Sequence, residues 1–290
     1  MFHWNRDQWN ECIRLIGNNW GTIMPDNDLY PSTDYISSRG PKLTIAMLSW
    51  LRYDKLIATL ASLHNTLTIP INITVMVQGS ERLTKHQKRT IREAAYKFES
   101  NDVFFTRDNI GTGPAREVLV FRALNRFKSS YINLADDDTT YTSGSVEAAI
   151  DLLDDDLSIG VVGIRYKPRI YVLDSTASPT GLYPVKPKNP IEYVDSTGSA
   201  SAFMRREIFD LCSIDPAYII GQWDLDLFFQ VRSIGWKIVN YEAFNGMRAI
   251  NDFGGCGENV AEYRQARICM PEIKNSVYRF RQKWGLQRTV

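Results

Sequence analysis

The sequence predicts a mixed α/β fold in which a mainly parallel sheet is flanked by helices. Between residues 43 and 241, short apolar segments of strand length alternate with longer segments whose apolar residues recur at helical spacing. Such alternation is typical of βαβ units, which place successive strands parallel to one another. One predicted strand ends in three consecutive aspartates, and open α/β sheets bind ligands at the carboxyl ends of their strands.

The individual elements follow from apolar content, spacing and boundary residues. Short segments rich in β-branched or aromatic side chains predict strands. They cover residues 43–48, 71–77, 103–105, 131–135, 159–164 and 236–241. Helices are predicted to begin near Asp54, Thr84 and Pro114, since Asp and Thr cap helices well and proline suits a first helical turn. A further helix opens at residues 221–223, with Leu227, Val231 and Ile234 predicted to face the core.

The composition is that of an ordinary globular protein, with 44% hydrophobic residues and a net charge of +1. This charge excludes a strongly basic surface as a general feature, although basic residues cluster over 82–97 and 264–290, most simply as solvated helix faces. The four cysteines lie far apart without metal-ligand spacing, which favours free thiols in a reducing compartment. Neither a signal peptide nor a transmembrane segment of about 20 apolar residues is recognised, so a cytoplasmic protein is expected.

The chain is expected to contain one main domain with an appendage at each end. Residues 1–41 are irregular and rich in proline near their end, which favours an N-terminal appendage. Residues 42–245 form the predicted catalytic domain, and residues 246–290 form a basic, aromatic C-terminal extension packed on it. Within the domain, residues 165–192 are predicted to form a long excursion, and loops of that length are often functional.

The three aspartates Asp136, Asp137 and Asp138 directly follow the predicted strand 131–135. Adjacent carboxylates repel one another unless they are solvated or hold a hard cation. A second triplet at 154–156 follows a helical pattern instead, and it is expected to lie in an exposed loop after that helix. The strand context therefore favours a divalent cation and a phosphate-bearing ligand at the first triplet.

Several segments, taken in order, resemble glycosyltransferases of the GT-A fold, most closely the family 2 type. These segments are residues 43–63, 75–80, 109–116, 136–138, 223–227 and 235–236. Residues 43–63 resemble the opening strand and helix of that family, and residues 75–80 resemble its second strand and nucleotide loop. Residues 109–116 resemble its Asn-x-Gly…Ala-Arg segment. Residues 136–138 resemble the DXD motif, and residues 223–227, followed by 235–236, resemble a Glu-Asp-x-Asp-Leu element. No single motif is specific, but the resemblance in order and spacing extends over about residues 43–241.

The resemblance implies a single-sugar transfer from a nucleotide-sugar donor, by a hexosyl- or pentosyltransferase that uses Mn²⁺ or Mg²⁺. The implied donor-binding residues are Ser49, Arg52, Gln78, Arg116, Asp136 and Asp137, and the implied metal ligands are Asp136, Asp138 and Asp252. Asp224 is the expected general base of an inverting reaction, although aspartate at that point could equally be a helix N-cap. Asp226 could instead orient the helix or the acceptor.

The sequence also departs from the family pattern. Val77 and Gln78 stand where an acidic pair is common, which leaves the choice of uridine open although Gln78 can still bond a base. Trp223 replaces a glutamate, and the Gln-x-x-Arg-Trp motif of processive members is absent. All three histidines lie in the first third of the chain, so Asp252 is the substitute predicted for a C-terminal histidine ligand.

Two other functions stay open, and the acceptor could be a glycan, a lipid-linked sugar or a modified nucleic acid. Four aromatic residues of the tail alternate with basic residues: Tyr263, Tyr278, Phe280 and Trp284. Such a mixture can stack bases and contact phosphates, so a glycosyltransferase acting on modified DNA bases is one alternative. The other is a non-catalytic carbohydrate-binding scaffold. A nucleotidyltransferase is disfavoured because the segment after the first strand has no glycine-rich loop.

Overall fold

The computed structural model describes residues 40–164, 170–173, 182–185, 191–199, 201–241, 250–251 and 271–285. Nearly all of the predicted N-terminal appendage, much of the 165–192 excursion and Asp252 lie outside these ranges. Among the described helices, none combines the length and apolar character needed to cross a bilayer.

The described residues form strands and helices in alternation. The strands are β1 Leu43–Trp50, β2 Ile71–Gln78, β3 Ser100–Phe105, β4 Tyr131–Asp136, β5 Thr139–Thr140, β6 Ile159–Ile164, β7 Ile170–Leu173, β8 Leu182–Val185, β9 Ile191–Tyr193, β10 Ser201–Arg205, β11 Lys237–Tyr241 and β12 Ile250–Asn251. The helices are α1 Tyr53–Thr66, α2 Lys85–Ala95, α3 Thr112–Arg126, α4 Ser145–Asp155, α5 Trp223–Ser233 and α6 Pro271–Lys283.

Eight strands make one sheet in the order β3-β2-β1-β4-β10-β6-β11-β9. β10 runs antiparallel to both β4 and β6, and β9 runs antiparallel to β11, while the other neighbours are parallel. The mainly parallel sheet flanked by helices confirms the predicted mixed α/β class. Two short ribbons, β5 with β12 and β7 with β8, lie beside it.

Both faces of the sheet are covered, which explains why its central strands are mostly apolar. Along β1, Ile45 and Met47 join the core formed with α1, α2 and α4. The alternating residues Ala46 and Leu48 join the core formed with α3, α5 and α6. Because successive side chains of a strand point to opposite faces, a strand buried on both faces reads as a continuous apolar run.

Helix boundaries follow local chemistry at α2 and α3. Thr84 caps α2 through a capping box with Gln87, in which each side chain accepts from the other residue's backbone N–H. The N-terminus of α3 packs tightly on a later loop, where a Cβ on Gly113 would lie 2.2 Å from the carbonyl oxygen of Tyr218. Thr112 N–H donates to the Ile219 carbonyl oxygen at 2.6 Å. These contacts position the loop that precedes α5 against α3.

Three details differ from the sequence predictions. The antiparallel strand β10 was not predicted, because its short, small-residue surroundings carry no distinctive pattern. Ile234 is 39% exposed just beyond the end of α5, so its predicted inward orientation is wrong. The second acidic triplet begins inside α4 rather than after it: Asp154 accepts from Tyr131 Oη at 2.6 Å and Lys42 Nζ at 2.9 Å. These partners compensate the unfavourable interaction with the helix dipole.

Candidate active site

The carboxyl ends of three parallel strands bring the predicted polar residues to one edge of the sheet. In the register of β1 with β2, Trp50 lies opposite Gln78. In the register of β1 with β4, Leu48 lies opposite Asp136, the residue at which β4 ends. Parallel strands that end together create a crevice, the usual ligand position in an open α/β sheet.

A cleft of about 200 Å³ opens at this edge. It is bounded by the ends of β1, β2 and β4, the N-terminus of α3 and the N-terminus of α5. Its lining residues are Leu48, Trp50, Arg52, Gln78, Asn109, Gly111, Thr112, Asp136, Ser199, Ile220, Gly221, Trp223 and Asp224. Of the predicted site residues, Arg52, Gln78, Asp136 and Asp224 therefore share one cavity although they are far apart in sequence.

Two predicted donor-binding residues lie behind the cleft rather than in it. Asp137 is fully buried, where Ser49 Oγ donates to its carboxylate at 2.6 Å and Arg52 forms an ion pair with it. Thr59 Oγ1 donates to its backbone carbonyl at 2.8 Å. Burial raises the pKa of Asp137 to about 7, while the Arg52 guanidinium and the Ser49 hydroxyl oppose that rise. Ser49 and Asp137 thus form an internal anchor for Arg52.

Arg52 joins this anchor to the rest of the acidic triplet. Its guanidinium donates to Asp138 Oδ2 at 2.6 Å and also pairs with Asp137, while its side chain lines the cleft. Burial raises the pKa of Asp138, and Arg52 opposes the rise. A guanidinium fork holds two carboxylates with fixed geometry, so Arg52 keeps positive charge at the cleft wall.

Asp136 is paired with a second buried arginine. Arg116 is fully buried in α3, forms an ion pair with Asp136 and donates to the Ala46 carbonyl oxygen at 3.1 Å. Its guanidinium carbon also lies 5.6 Å from the centre of the Trp223 ring. Arg116 therefore contacts the ring of one cleft residue and the carboxylate of another without lining the cleft itself. Its role in this structure is to position Asp136 and the start of α5.

Asp224 lies in the first turn of α5 and faces the same cleft. Gln222 is the N-cap of that helix, so the alternative prediction that Asp224 is the N-cap is wrong. Burial raises the pKa of Asp224, Ser199 donates a hydrogen bond that opposes the rise, and the nearby Asp136 adds to it. A carboxylate with a raised pKa is better matched to proton abstraction near neutral pH than an ordinary aspartate.

Asp226 has a different environment from Asp224, two residues away. It is fully buried and accepts from Lys283 Nζ, Trp284 Nε1 and Gln230 Nε2, each at 2.8 Å. Tyr218 Oη donates to it at 3.3 Å. Asp226 therefore fastens α6 to α5, and it does not line the cleft where an acceptor could contact it. The structure thus supports the helix-orienting role among the two that were predicted.

The same contacts account for the aromatic residues of the C-terminal extension. Phe280 is fully buried and packs edge-on against Phe229, with ring centres 5.1 Å apart. The Trp284 ring lies 5.3 Å from Phe229 and its N–H is bound to Asp226. Tyr278, by contrast, is 64% exposed. The described part of the tail is thus an amphipathic helix packed on the domain, in which the Phe280 ring is buried and the Trp284 ring is partly buried. Tyr263, the fourth candidate base-stacking residue, lies outside the described residues.

Several cleft residues were not predicted as site residues, among them Trp50, Asn109 and Ser199. Trp50 is the last residue of β1 and lies between the predicted site residues Ser49 and Arg52. Its position at a strand end could have identified it as a cleft residue. Asn109 and Ser199 come from loops, and nothing in the local sequence places them beside Asp136 or Asp224. Asn109 Oδ1 accepts from Gly111 N–H at 2.9 Å, in a turn where Gly111 has φ +92°. Only glycine readily adopts that backbone conformation.

The carboxylates of Asp136 and Asp138 fit a divalent cation. Asp138 Oδ1 is buried and has no hydrogen-bond partner among the described residues, and Asp136 is partly exposed to the cleft. Both offer the oxygen ligands that Mn²⁺ and Mg²⁺ use. Within the described ranges no three acidic, histidine or cysteine side chains converge. Asn251, the last described residue of β12, pairs through its backbone with Thr139, which directly follows the acidic triplet. Asp252 lies outside the described residues.

Comparison with known proteins gives fold-level similarity alone. No family model matches the sequence, and no curated protein matches it. Its structure is similar to crystal structures of S. aureus TarS 1-349. The TarS 1-349 structure shares 13% identity at a TM-score of 0.50, over 84% of this chain and 72% of that one. The TarS 1-349 complex with UDP-GlcNAc shares 12% sequence identity at a TM-score of 0.50, over 82% of this chain and 71% of that one. The complex with UDP shares 14% identity at a TM-score of 0.52, over 82% of this chain and 70% of that one. The chain therefore has a GT-A-like fold.

Proposed function

We propose that this protein is a glycosyltransferase, similar to family 2, that transfers one sugar from a nucleotide-sugar donor to an acceptor hydroxyl. The observation that carries the proposal is the single cleft shared by Asp136, Asp224, Arg52 and Gln78. This cleft combines groups suited to a nucleoside diphosphate with a carboxylate suited to proton abstraction. The TarS complexes with UDP-GlcNAc and UDP are consistent with such a ligand in this fold.

The donor half of the cleft is suited to a diphosphate leaving group. Arg52 supplies a positive charge at the wall, and Gly111 and Thr112 present the positive end of the α3 dipole. A departing nucleoside diphosphate gains negative charge as its bond to the sugar breaks. Groups fixed in advance near that charge lower the barrier more than mobile solvent does.

The proposal includes Mn²⁺ or Mg²⁺ as a cofactor. Asp136 and Asp138 would hold it, with Asp252 as the proposed third ligand. When bound, such an ion neutralises charge on the leaving diphosphate. Ion pairs reduce the repulsion among the three carboxylates of the acidic triplet. Arg52 pairs with Asp137 and Asp138, and Arg116 pairs with Asp136.

The acceptor half of the cleft would use Asp224. In an inverting transfer, the acceptor hydroxyl oxygen forms a bond to the anomeric carbon while the bond from that carbon to the diphosphate oxygen breaks. Asp224 would take the hydroxyl proton as this happens, and Ser199 would orient its carboxylate. The sugar transferred would be a hexose or a pentose. Packing of Phe280 and Trp284 weakens the alternative of a DNA acceptor bound by the tail.

The first test is thermal unfolding with a panel of nucleoside diphosphates, with and without Mn²⁺ or Mg²⁺. A ligand present at a hundred times its Kd stabilises the native state by about 2.7 kcal/mol, which corresponds to roughly 4 °C for a chain of this size. We expect a metal-dependent shift for at least one nucleotide and its loss in Asp138→Asn.

The second acidic triplet provides a matched control. Asp155 is exposed in the last turn of α4, so Asp155→Asn makes the same chemical change away from the cleft and should keep the full shift. An absence of any shift in the wild-type protein would favour the non-catalytic scaffold instead. A shift that survives Asp138→Asn unchanged would remove Asp138 from the proposed metal site.

A further inference from the structure

The helix α2 is strongly basic on its outer face. Four of its 11 residues are basic and one is acidic, whereas the whole chain has a net charge of only +1. The basic residues form one row, which we call the α2 stripe: Lys85, Lys88, Arg89 and Arg92. They recur at intervals of three or four residues, so they lie on one side of the helix, and all but the half-buried Lys88 are exposed.

Two cations of the α2 stripe lie over an aromatic ring of the neighbouring strand. β3 is the terminal strand at one side of the eight-stranded sheet, and Phe105 is its last residue. The Arg92 guanidinium carbon lies 4.8 Å from the centre of the Phe105 ring, and Lys88 Nζ lies 5.8 Å from it. The ring restrains these cations without neutralising their charge. Within the described ranges, Arg89 is the one stripe cation with a carboxylate partner, Glu93 at 2.6 Å.

The opposite face of β3 is also covered by cations, which belong to α3. The Arg122 guanidinium carbon lies 4.4 Å from the centre of the Phe104 ring, and Arg122 donates two hydrogen bonds of 2.8 Å to the buried Asp102. Arg126 Nε lies 3.8 Å from the same carboxylate, and the Arg126 side chain is 42% exposed. One carboxylate is thus shared by two guanidinium groups. Positive charge therefore flanks the sheet edge at β3 on both faces.

The chemistry of this surface favours phosphates over apolar partners. Between residues 80 and 107 and between 112 and 126, Tyr96 is the single exposed large hydrophobic side chain. A helix binds a bilayer surface through buried apolar area as well as charge, and this surface offers little of the former. The stripe cations occupy successive helical turns about 5.4 Å apart, so each can contact a different phosphate of a nucleic-acid backbone.

We propose that the α2 stripe and Arg126 bind the phosphate backbone of a nucleic acid without regard to base sequence, since phosphate contacts carry no sequence information. This binding goes beyond the proposed function and does not depend on it. α2 begins shortly after Gln78, the last residue of β2, which lines the cleft. One end of the stripe therefore lies toward the sheet edge that carries the cleft.

The test is the fluorescence anisotropy of a labelled DNA duplex of about 20 base pairs, two helical turns, titrated with the full chain at several salt concentrations. Lys85, Lys88, Arg92 and Arg126 would neutralise about four phosphates. The logarithm of the binding constant should therefore fall with the logarithm of the salt concentration at a slope of about −3.6. Duplexes of different sequence should bind equally.

A triple variant tests whether the stripe carries this binding. Combining Lys85→Gln, Lys88→Gln and Arg92→Gln should reduce the steepness of the salt dependence by about 2.7 and weaken binding at least tenfold at low salt. Exchanging the two basic residue types at the same positions, K85R with K88R and R92K, keeps every charge and should preserve the slope. Melting temperatures without ligand check that each variant is folded.

A second triple variant is the matched control. Lys237→Gln, Lys274→Gln and Arg281→Gln remove three basic side chains of β11 and α6 and should leave the slope unchanged. The metal-dependent nucleotide shift should persist in both triple variants, because none of the substituted residues lines the cleft. A wild-type protein without that shift would contradict the proposed function alone.

Three results would overturn the inference. One is no binding of the duplex by the wild-type protein at about 25 mM salt, where phosphate contacts are strong. Another is a loss of binding that is equal in the control and in the stripe variant, or absent from both. The third is tighter binding to phosphatidylserine vesicles than to the duplex at the same salt, which would assign this surface to a membrane.

Discussion

Replacing Asp224 with asparagine is expected to reduce sugar transfer by about 10²- to 10⁴-fold, the range typical of losing a general base. Asparagine keeps the size and polarity of the side chain but cannot accept the proton of an attacking hydroxyl. Because Asp224 is not assigned to donor binding, the nucleotide-induced rise in melting temperature should persist in this variant. Release of nucleoside diphosphate from the donor, with water or a sugar as acceptor, measures the rate.

The pH dependence gives a second readout of the same residue. A base acts only when deprotonated, so the rate should fall as pH drops through the pKa of Asp224. Burial raises that pKa, which moves the acidic limb of the profile above the range of an ordinary aspartate. Asp224→Asn should lose this limb along with the rate. Retention of the wild-type rate and profile by Asp224→Asn would show that another group is the base.

Replacing Asp226 with alanine is expected to destabilise the protein by about 3 kcal/mol, because the change removes one member of a buried ionic network. Lys283 and Trp284 would lose their acceptor, and α6 would lose its strongest polar tie to α5. The Lys283 side chain is 38% exposed and can be hydrated when its partner is lost. The expected loss of stability is therefore below the upper end of the range for breaking a buried ion pair. Urea unfolding measures the change, and hydrogen exchange of α6 should increase.

An ion pair between α6 and the loop that precedes α5 serves as the control for this prediction. Asp215 accepts from Arg279 of α6 at 2.8 Å, but the Arg279 side chain is 52% exposed. Asp215→Ala should therefore cost less than about 1 kcal/mol, as is usual for exposed pairs. Equal effects at Asp215 and Asp226 would contradict the view that Asp226 is the residue that fastens the helix.

The central strands could be predicted from sequence because their environment is simple. β1, β2 and β4 are covered on both faces, so their residues form mostly apolar runs, and the polar residues at their carboxyl ends mark the edge that carries the cleft. The positions of Asp136 and Asp224 in one cleft follow from the same alternation of strands and helices. These parts of the site depend on local pattern and on the general geometry of α/β sheets.

Other features depend on contacts between residues that are distant in sequence. Asp224 and Asp226 look alike in the chain, yet Asp226 is buried because its partners, Lys283 and Trp284, come from the C-terminal helix. Arg52 is near the predicted site, but its pairing with two members of the acidic triplet requires the folded register of β1 and β4. Likewise, the orientation of Gln78 is set by a loop amide, which no side-chain pattern reveals.

The most direct test of the central claim is a crystal structure of the protein with the nucleoside diphosphate that stabilises it most. The account predicts density for the diphosphate in the cleft between Arg52, Asp136 and the start of α3, with the base near Trp50 and Gln78. The Asp224 carboxylate should lie on the side of the diphosphate where the sugar would be attached. A nucleotide bound elsewhere, with this cleft empty, would contradict the assignment of the cleft as the donor site.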